Sequence, residues 1–269
     1  MKMRFAFLSV MLISGMVRAQ QEPLRPIPPT ETREADVMFS KRIWRIIDLR
    51  EKQNKIICWP KDPITRMLYL GVQSNQLKPY KDDSLRSVFN LEEFAMRGSS
   101  KILVRKLVDP NDPEGFYVTD TVMEPFNPEE QIDHLLLMED WYFDKRMSKE
   151  FPRIIAIAPL FNWKVEGYDL GLQPLCWLKF DDRAKKETTC RTILVNHRLF
   201  NPVNSRSMFT YDDWFQQRRF SSFIIKTSNM YDINIMDDPD IKHSGLKALI
   251  EAERLKRETF ERDANLFEE

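Results

Sequence analysis

The sequence predicts an α+β fold: a central antiparallel sheet with helices from the N- and C-terminal segments packed on it. Three observations lead there. β-branched and aromatic runs cluster in the middle of the chain. Apolar residues recur at helical spacing towards both ends. A short polar stretch, 144–150, joins two of the central runs as a hairpin loop would.

Residues 1–19 read as a cleavable secretory signal. Lys2 and Arg4 precede an apolar run over 5–17, and Val17, Arg18 and Ala19 offer a cleavage step near Ala19. The run is shorter than the roughly 20 residues a spanning helix needs, and none like it follows. The first cysteine is Cys58, so lipidation of a new N-terminal cysteine at the cleavage point is not available. Residues 20–33 hold Pro23, Pro26, Pro28 and Pro29, which favour an extended tether. Residues 34–269 are read as one α+β domain.

Within that domain, 34–53 shows Phe39, Ile43, Trp44, Ile46 and Ile47 on one arc, which predicts a helix docked on the core. Asp62 before Pro63 marks a second helix running to about Ser74. Residues 90–97, closed by Gly98, predict a third. Strands are expected over 116–123, 135–143 and 153–158. Two further β-like runs, 174–180 and 188–195, flank the polar stretch 181–187 and carry Cys176 and Cys190. A cross-strand disulfide fits that arrangement, while buried free thiols are the commoner state in a large scaffold. Residues 211–226 read as a helix with two apolar sides, which implies deep burial or a partner. The last helix is expected over 245–267. Its stripe of Leu246, Leu249, Ile250, Phe260, Ala264 and Phe267 is interrupted by Glu253 and Arg257.

The composition narrows function. The 41 basic and 41 acidic residues of the whole chain become a net charge of about −3 once Lys2, Arg4 and Arg18 leave, which gives nucleic acid no concentrated positive surface. Glycine numbers only 7, and no phosphate-cradling loop, nucleophile elbow or dinucleotide turn occurs. His134, His197 and His243 have no partner at a metal-ligand interval. Asp237, Asp238 and Asp240 lack the glycine and distal glutamate of a calcium loop and read as a solvated turn. No spacing singles out a carboxylate pair or a catalytic triad. The reading is therefore of a protein that is not an enzyme and takes no cofactor, the alternative being an unrelated periplasmic enzyme or ligand-binding protein.

Aromatic and basic residues concentrate in two blocks. Trp141, Tyr142 and Phe143 lie among Asp140, Asp144, Lys145 and Arg146, and Trp214 and Phe215 precede Arg218 and Arg219. Such density suits interface hot spots and equally suits core filling. Trp44, Trp141, Phe143, Trp214, Arg218 and Arg219 are the interface candidates, and alanine at each is expected to weaken assembly without unfolding the chain.

Five blocks in order carry a family likeness: KRIWRIIDLREKQN (41–54), EDWYFDKRMS (139–148), RIIAIAPL (153–160), YDDWFQQRRFSSFIIKTSNMYD (211–232) and ALIEAERLKRETFERDAN (248–265). From about residue 35 to the end the chain resembles the GldN/PorN family of the type IX secretion and gliding machinery of Bacteroidetes, with 98–130 and 181–187 matching poorly. The resemblance implies a soluble periplasmic protein without catalytic activity. It implies a ring complex with a GldK/PorK-like lipoprotein at the inner face of the outer membrane, self-association within that ring, and contact with the periplasmic part of a GldM/PorM-like motor protein. The membrane would be reached only indirectly, through the lipoprotein.

Overall fold

The structure is a computed structural model that describes residues 24–28, 32–107, 117–165, 168–182, 187–201, 204, 206–242 and 244–265. The signal segment lies outside them, as do the first residues of the proline-rich tether and His243. In chain order the elements are β1 (Val37–Asp48), α1 (Ile64–Gln73), α2 (Leu91–Met96), β2 (Ser100–Leu107), β3 (Tyr117–Glu124), α3 (Pro128–Gln131) and β4 (Ile132–Asp144). They continue with β5 (Lys149–Val165), β6 (Tyr168–Pro174), β7 (Leu178–Lys179), α4 (Cys190–Leu194), α5 (Tyr211–Gln216), β8 (Phe223–Thr227) and α6 (Gly245–Asn265).

The antiparallel sheet runs β6-β5-β4-β1-β8, and β7 pairs with the same edge of β5 as β6 does. A separate hairpin is formed by β2 and β3. The α+β expectation holds, but the first expected helix is a strand. β1 sits between β4 and β8, in register from Asp48 opposite His134 to Val37 opposite Asp144. Strands buried on both faces lose the alternation that identifies them, and their apolar residues then fit a helical arc by coincidence. Here Ile43 and Ile47 pack on one face while Trp44 and Ile46 pack on the other.

The hairpin of β4 and β5 confirms the 144–150 loop. The buried Asp144 shapes it by accepting from the backbone N–H groups of Arg146 (2.8 Å) and Met147 (3.2 Å). On one face Leu135, Leu137 and Ile157 meet α1 (Ile64, Leu68, Val72), α4 (Leu194) and α5 (Trp214, Phe215) in the main core. On the other, Trp44, Leu136, Met138, Ala156 and Ala158 are covered by Tyr80 and Trp177. The helix expected from Asp62 begins one residue later than foreseen, at Ile64, and α2 and α6 lie where their signals put them. Part of the tether is docked: the Leu24 backbone N–H donates to Asn196 Oδ1 (2.8 Å), and the Ile27 carbonyl accepts from Arg191 Nη2 (2.8 Å).

Two further expectations are corrected. Residues 188–195 hold α4 (Cys190–Leu194), capped by Thr189 in a capping box with Thr192, because paired threonines at that spacing satisfy a helix N-terminus. Cys176 therefore follows the end of β6 while Cys190 opens a helix, and the hairpin that a cross-strand disulfide required does not exist. Both are free, fully buried thiols, and burial pushes their ionisation far up. Burial also pushes the Cys58 thiol up to about 11. A thiol-specific reagent at neutral pH should find little reactive sulfur in the native mature protein and all three cysteines after denaturation without reductant. Recovery of a single thiol in denaturant would show Cys176 and Cys190 to be joined.

The expected helix over 211–226 is in fact α5, a reversal and β8. Its two apolar sides belong to two different elements. The break occurs without glycine or proline, which is why the sequence does not signal it.

Candidate functional site

At the end of α5 the Arg218 N–H bonds to the Phe215 carbonyl (3.1 Å) and the Arg219 N–H to the Trp214 carbonyl (3.1 Å). Arg218 takes φ +51, the left-handed position that glycine usually fills in a Schellman cap. A side chain there costs on the order of 1–2 kcal/mol. What it gains is a fixed direction: the guanidinium is aimed at the sheet, where Nη1 donates to Glu139 Oε1 (2.9 Å) and Nη2 to Glu139 Oε2 (3.0 Å).

Glu139 has no exposed surface and accepts two more bonds, from Arg45 Nε (2.8 Å) and Trp141 Nε1 (2.9 Å). β1 supplies Arg45, β4 supplies Glu139 and Trp141, and the α5–β8 turn supplies Arg218. Since Ile43 faces Glu139 and Arg45 faces Leu137 across the β1–β4 pair, the arginine and the carboxylate are diagonal neighbours on one face. Both flanking strands slip register at this level, β5 beside Glu139 and β8 beside Arg45. Such bulges bend strands and re-aim side chains. The Trp141 ring lies under both guanidinium groups, 5.1 Å from Arg218 and 5.7 Å from Arg45.

This cluster of two arginines and one carboxylate separates the main core from a smaller one where Ile43 and Ile224 meet Leu255 of α6. Burial alone would raise the Glu139 carboxyl, but the charges of Arg218 and Arg45 and the bonds from Arg218 and Trp141 outweigh it, leaving it below the ordinary glutamate range. Near neutrality it is an ionised, fully bonded group, unsuited to proton transfer. The cluster fixes the relative placement of β1, β4 and the α5–β8 turn. Behind α5, Arg191 holds Asp212 in a two-pronged pair (2.9 and 3.0 Å), and Arg153 holds Asp181 (3.0 Å).

The interface candidates divide. Trp141 and Arg218 come together at the cluster, half-buried. Arg219 is exposed, its guanidinium 4.6 Å from the Phe209 ring centre. Trp44, Phe143 and Trp214 are corrected: all three are buried. Trp44 packs under the Lys226 ammonium (4.6 Å), Phe143 stacks on Phe39 (5.7 Å), and Trp214 fits edge-on against Phe215 (4.9 Å). Aromatic-basic density marks cation–π packing of this kind as readily as it marks a contact surface. Sequence reasoning missed Arg45 and Glu139. The signal for them was an opposite-charge pair among the apolar residues of two runs, readable only once both runs are strands.

The other chemistry-bearing groups are in bonds. His134 Nδ1 lies 2.6 Å from Asp133 Oδ1, and His197 Nδ1 lies 2.6 Å from Asp62 Oδ2. The acidic cluster is a turn, with Asp238 Oδ1 accepting from the Asp240 N–H (2.9 Å) and Asp237 accepting from Asn234 (2.7 Å). A groove of about 460 Å³ runs along α1, open to solvent, with the Asp62–His197 pair and Arg66 on its wall. Among the described residues no helix is long and apolar enough to cross a membrane.

No curated protein matches the chain. The family model described as gliding motility associated protein GldN matches residues 32–268, which takes in every strand and helix of the fold. The chain belongs to the GldN family, and so to the components of gliding motility and type IX secretion.

Proposed function

We propose that the mature protein is a non-catalytic periplasmic scaffold subunit of that machinery. In this reading it assembles with a GldK/PorK-like lipoprotein into a ring at the inner face of the outer membrane. It also meets the periplasmic domain of a GldM/PorM-like motor protein. The observation that carries the reading is the extent of the family match, residues 32–268. The secretory signal read over residues 1–19 fits an exported subunit. Among the described residues Glu139, Asp212 and Asp181 are each taken up in pairs with arginines, which fits a structural role.

The test is a pull-down of the C-terminally tagged mature chain from gently solubilised envelopes, with co-purifying proteins identified by mass. A lipoprotein and a large inner-membrane protein in stable proportion are the expected result. Recovery of the chain alone would overturn the scaffold reading and direct attention to the groove beside Asp62 and His197 as a ligand site.

A further inference from the structure

Several exposed cations of this protein are held by carboxylates, as Arg50 is by Asp48, Lys78 by Glu187 and Lys81 by Glu93. Lys55, Lys61, Arg198 and Arg219 are exposed too, and among the described residues none of them is in a salt bridge. The carboxylates closest to them in the chain are engaged elsewhere: Asp62 with His197, Asp212 with Arg191, and Asp213 with the N–H (2.9 Å) and hydroxyl (2.8 Å) of Thr210. Glu51 is balanced in charge by its neighbour Lys52.

These cations surround apolar side chains that three loops bring together. The 3-10 turn Asn54–Cys58 buries Asn54 and Ile57 and leaves Lys55 and Ile56 outside. Side chains three apart eclipse in such a turn, so Ile56 and Trp59 share a side. The Trp59 ring stacks on Phe200 (5.0 Å, 6° between planes), with the Lys61 ammonium 5.6 Å from the indole. Arg198 and Phe200 are two apart on an extended segment that bridges to Thr210, which sets them on one face. The Leu199 N–H bonds to the Phe209 carbonyl (2.9 Å), and this pairing brings Met208 alongside Phe200. Arg219 lies over the Phe209 ring, and its carbonyl accepts from Gln53 (3.2 Å) at the start of the 3-10 turn. Ile56, Phe200 and Met208 are 40%, 46% and 67% exposed.

We propose that this face docks directly on an anionic lipid surface. Ile56, Phe200 and Met208 enter the headgroup layer, and the four cations around them meet the lipid phosphates. Aromatic rings beside lysine and arginine are the side chains that settle at headgroup level, and each basic residue close to a negative bilayer adds an attraction that salt screens. Charge complementarity selects an anionic occupant, because the cations here have no internal partner while the chain as a whole carries no excess of positive charge. The form of the surface selects lipid over peptide. Its apolar tips come from separate loops and offer neither a strand edge nor a helix stripe, the features along which a partner peptide is laid, whereas a bilayer accepts scattered tips. The contact goes beyond the scaffold reading, in which the membrane is reached through a lipidated partner, and does not depend on it.

Co-sedimentation of the purified mature chain with vesicles tests it, with melting followed for every variant. Vesicles of phosphatidylcholine containing phosphatidylglycerol are expected to bind the chain at low salt, and vesicles of phosphatidylcholine alone to leave it in solution. Arg198→Glu should weaken binding about tenfold or more without changing the melting. Arg86→Glu makes the same change of charge at another exposed arginine outside the salt bridges, in the loop that covers the second core, and should leave binding nearly unaltered. Phe200→Ser should weaken the binding that survives at higher salt, where the apolar tips carry more of it. A wild type that ignores the anionic vesicles, or equal losses in Arg198→Glu and Arg86→Glu, overturns the proposal. Binding of a polyglutamate peptide by a chain that leaves the vesicles alone overturns it as well and assigns the face to an acidic protein. The envelope pull-down is read separately: partners recovered with a chain that binds no lipid would remove this contact and leave the scaffold reading standing.

Discussion

Glu139→Gln is expected to lower the melting temperature of the mature protein by about 10 °C at neutral pH. The change is nearly isosteric, so its effect isolates charge. It leaves Arg45 and Arg218, whose side chains are 7% and 26% exposed, without their carboxylate, and it turns an amide donor towards groups that themselves donate. Breaking one partner out of a buried ion pair costs on the order of 3–5 kcal/mol, and each kcal/mol moves the midpoint of a domain this size by roughly 2–4 °C. Arg218→Gln should cost less, because that side chain retains some access to water. The double variant should cost less than the two singles together, since both remove one interaction.

The pH dependence of that difference has a definite sign. The Glu139 carboxyl is held below its ordinary value in the fold, so the unfolded chain binds the proton more readily. Its contribution is present in full above the ordinary glutamate range, near pH 4.3, and is lost as pH falls through the lower folded value. The gap between wild type and Glu139→Gln should be constant from pH 8 to about 5 and close below about 4. Asp48, held down to about 2 chiefly by the Arg50 hydrogen bond, loses its contribution in the same acid window. Glu187 does likewise, held at about 2 by Lys78 and Lys179. Equal melting of wild type and variant at pH 7 would mean that the cluster contributes nothing to the fold.

What the sequence made legible follows from how far each signal reaches. α1, α2 and α6 are announced by local features: an Asp-Pro start, a glycine stop, and a stripe at 3.6 spacing. The β4–β5 hairpin is announced by a polar stretch between two β-rich runs. β1 was not legible because its context is non-local. Only the presence of β4 and β8 on either side, and of packed cores on both faces, makes a strand of a segment whose apolar residues also fit a helical arc. The α5–β8 break hid for a different reason. Arg218 adopts a backbone conformation that glycine would advertise, with two rings and two carboxylate oxygens nearby to offset the strain. The cluster itself joins residues far apart in the chain, so neither Arg45 nor Glu139 carried a local motif. Trp141 and Arg218 were picked out for their density of aromatic and basic neighbours, which is what the cluster is made of, although its members are bound chiefly to one another.

Trp214→Ala should show the difference between a core residue and a contact residue. The indole is 1% exposed, set edge-on to Phe215 at 88° and 5.5 Å from Phe220 at a tilt, so it ties α5 to the turn that follows and sits in the main core. Removing a buried ring of this size costs about 3–5 kcal/mol, on the order of 10 °C or more in melting temperature. The damage extends beyond the cavity. The Trp214 carbonyl accepts the Arg219 N–H that closes the cap, and the cap aims Arg218 at Glu139, so loosening α5 also loosens the cluster. Arg219→Ala, five residues on, removes an exposed guanidinium that rests on Phe209 and donates to Gln217 Oε1 (3.0 Å), and should shift stability by no more than about 1 kcal/mol. In the envelope pull-down both variants can lose partners, but through different causes. Trp214→Ala should lose them together with cooperative melting, and Arg219→Ala should lose them, if it does, with melting intact. A Trp214→Ala chain that melts like the wild type while failing to recover partners would return that residue to the interface and overturn its assignment to the core.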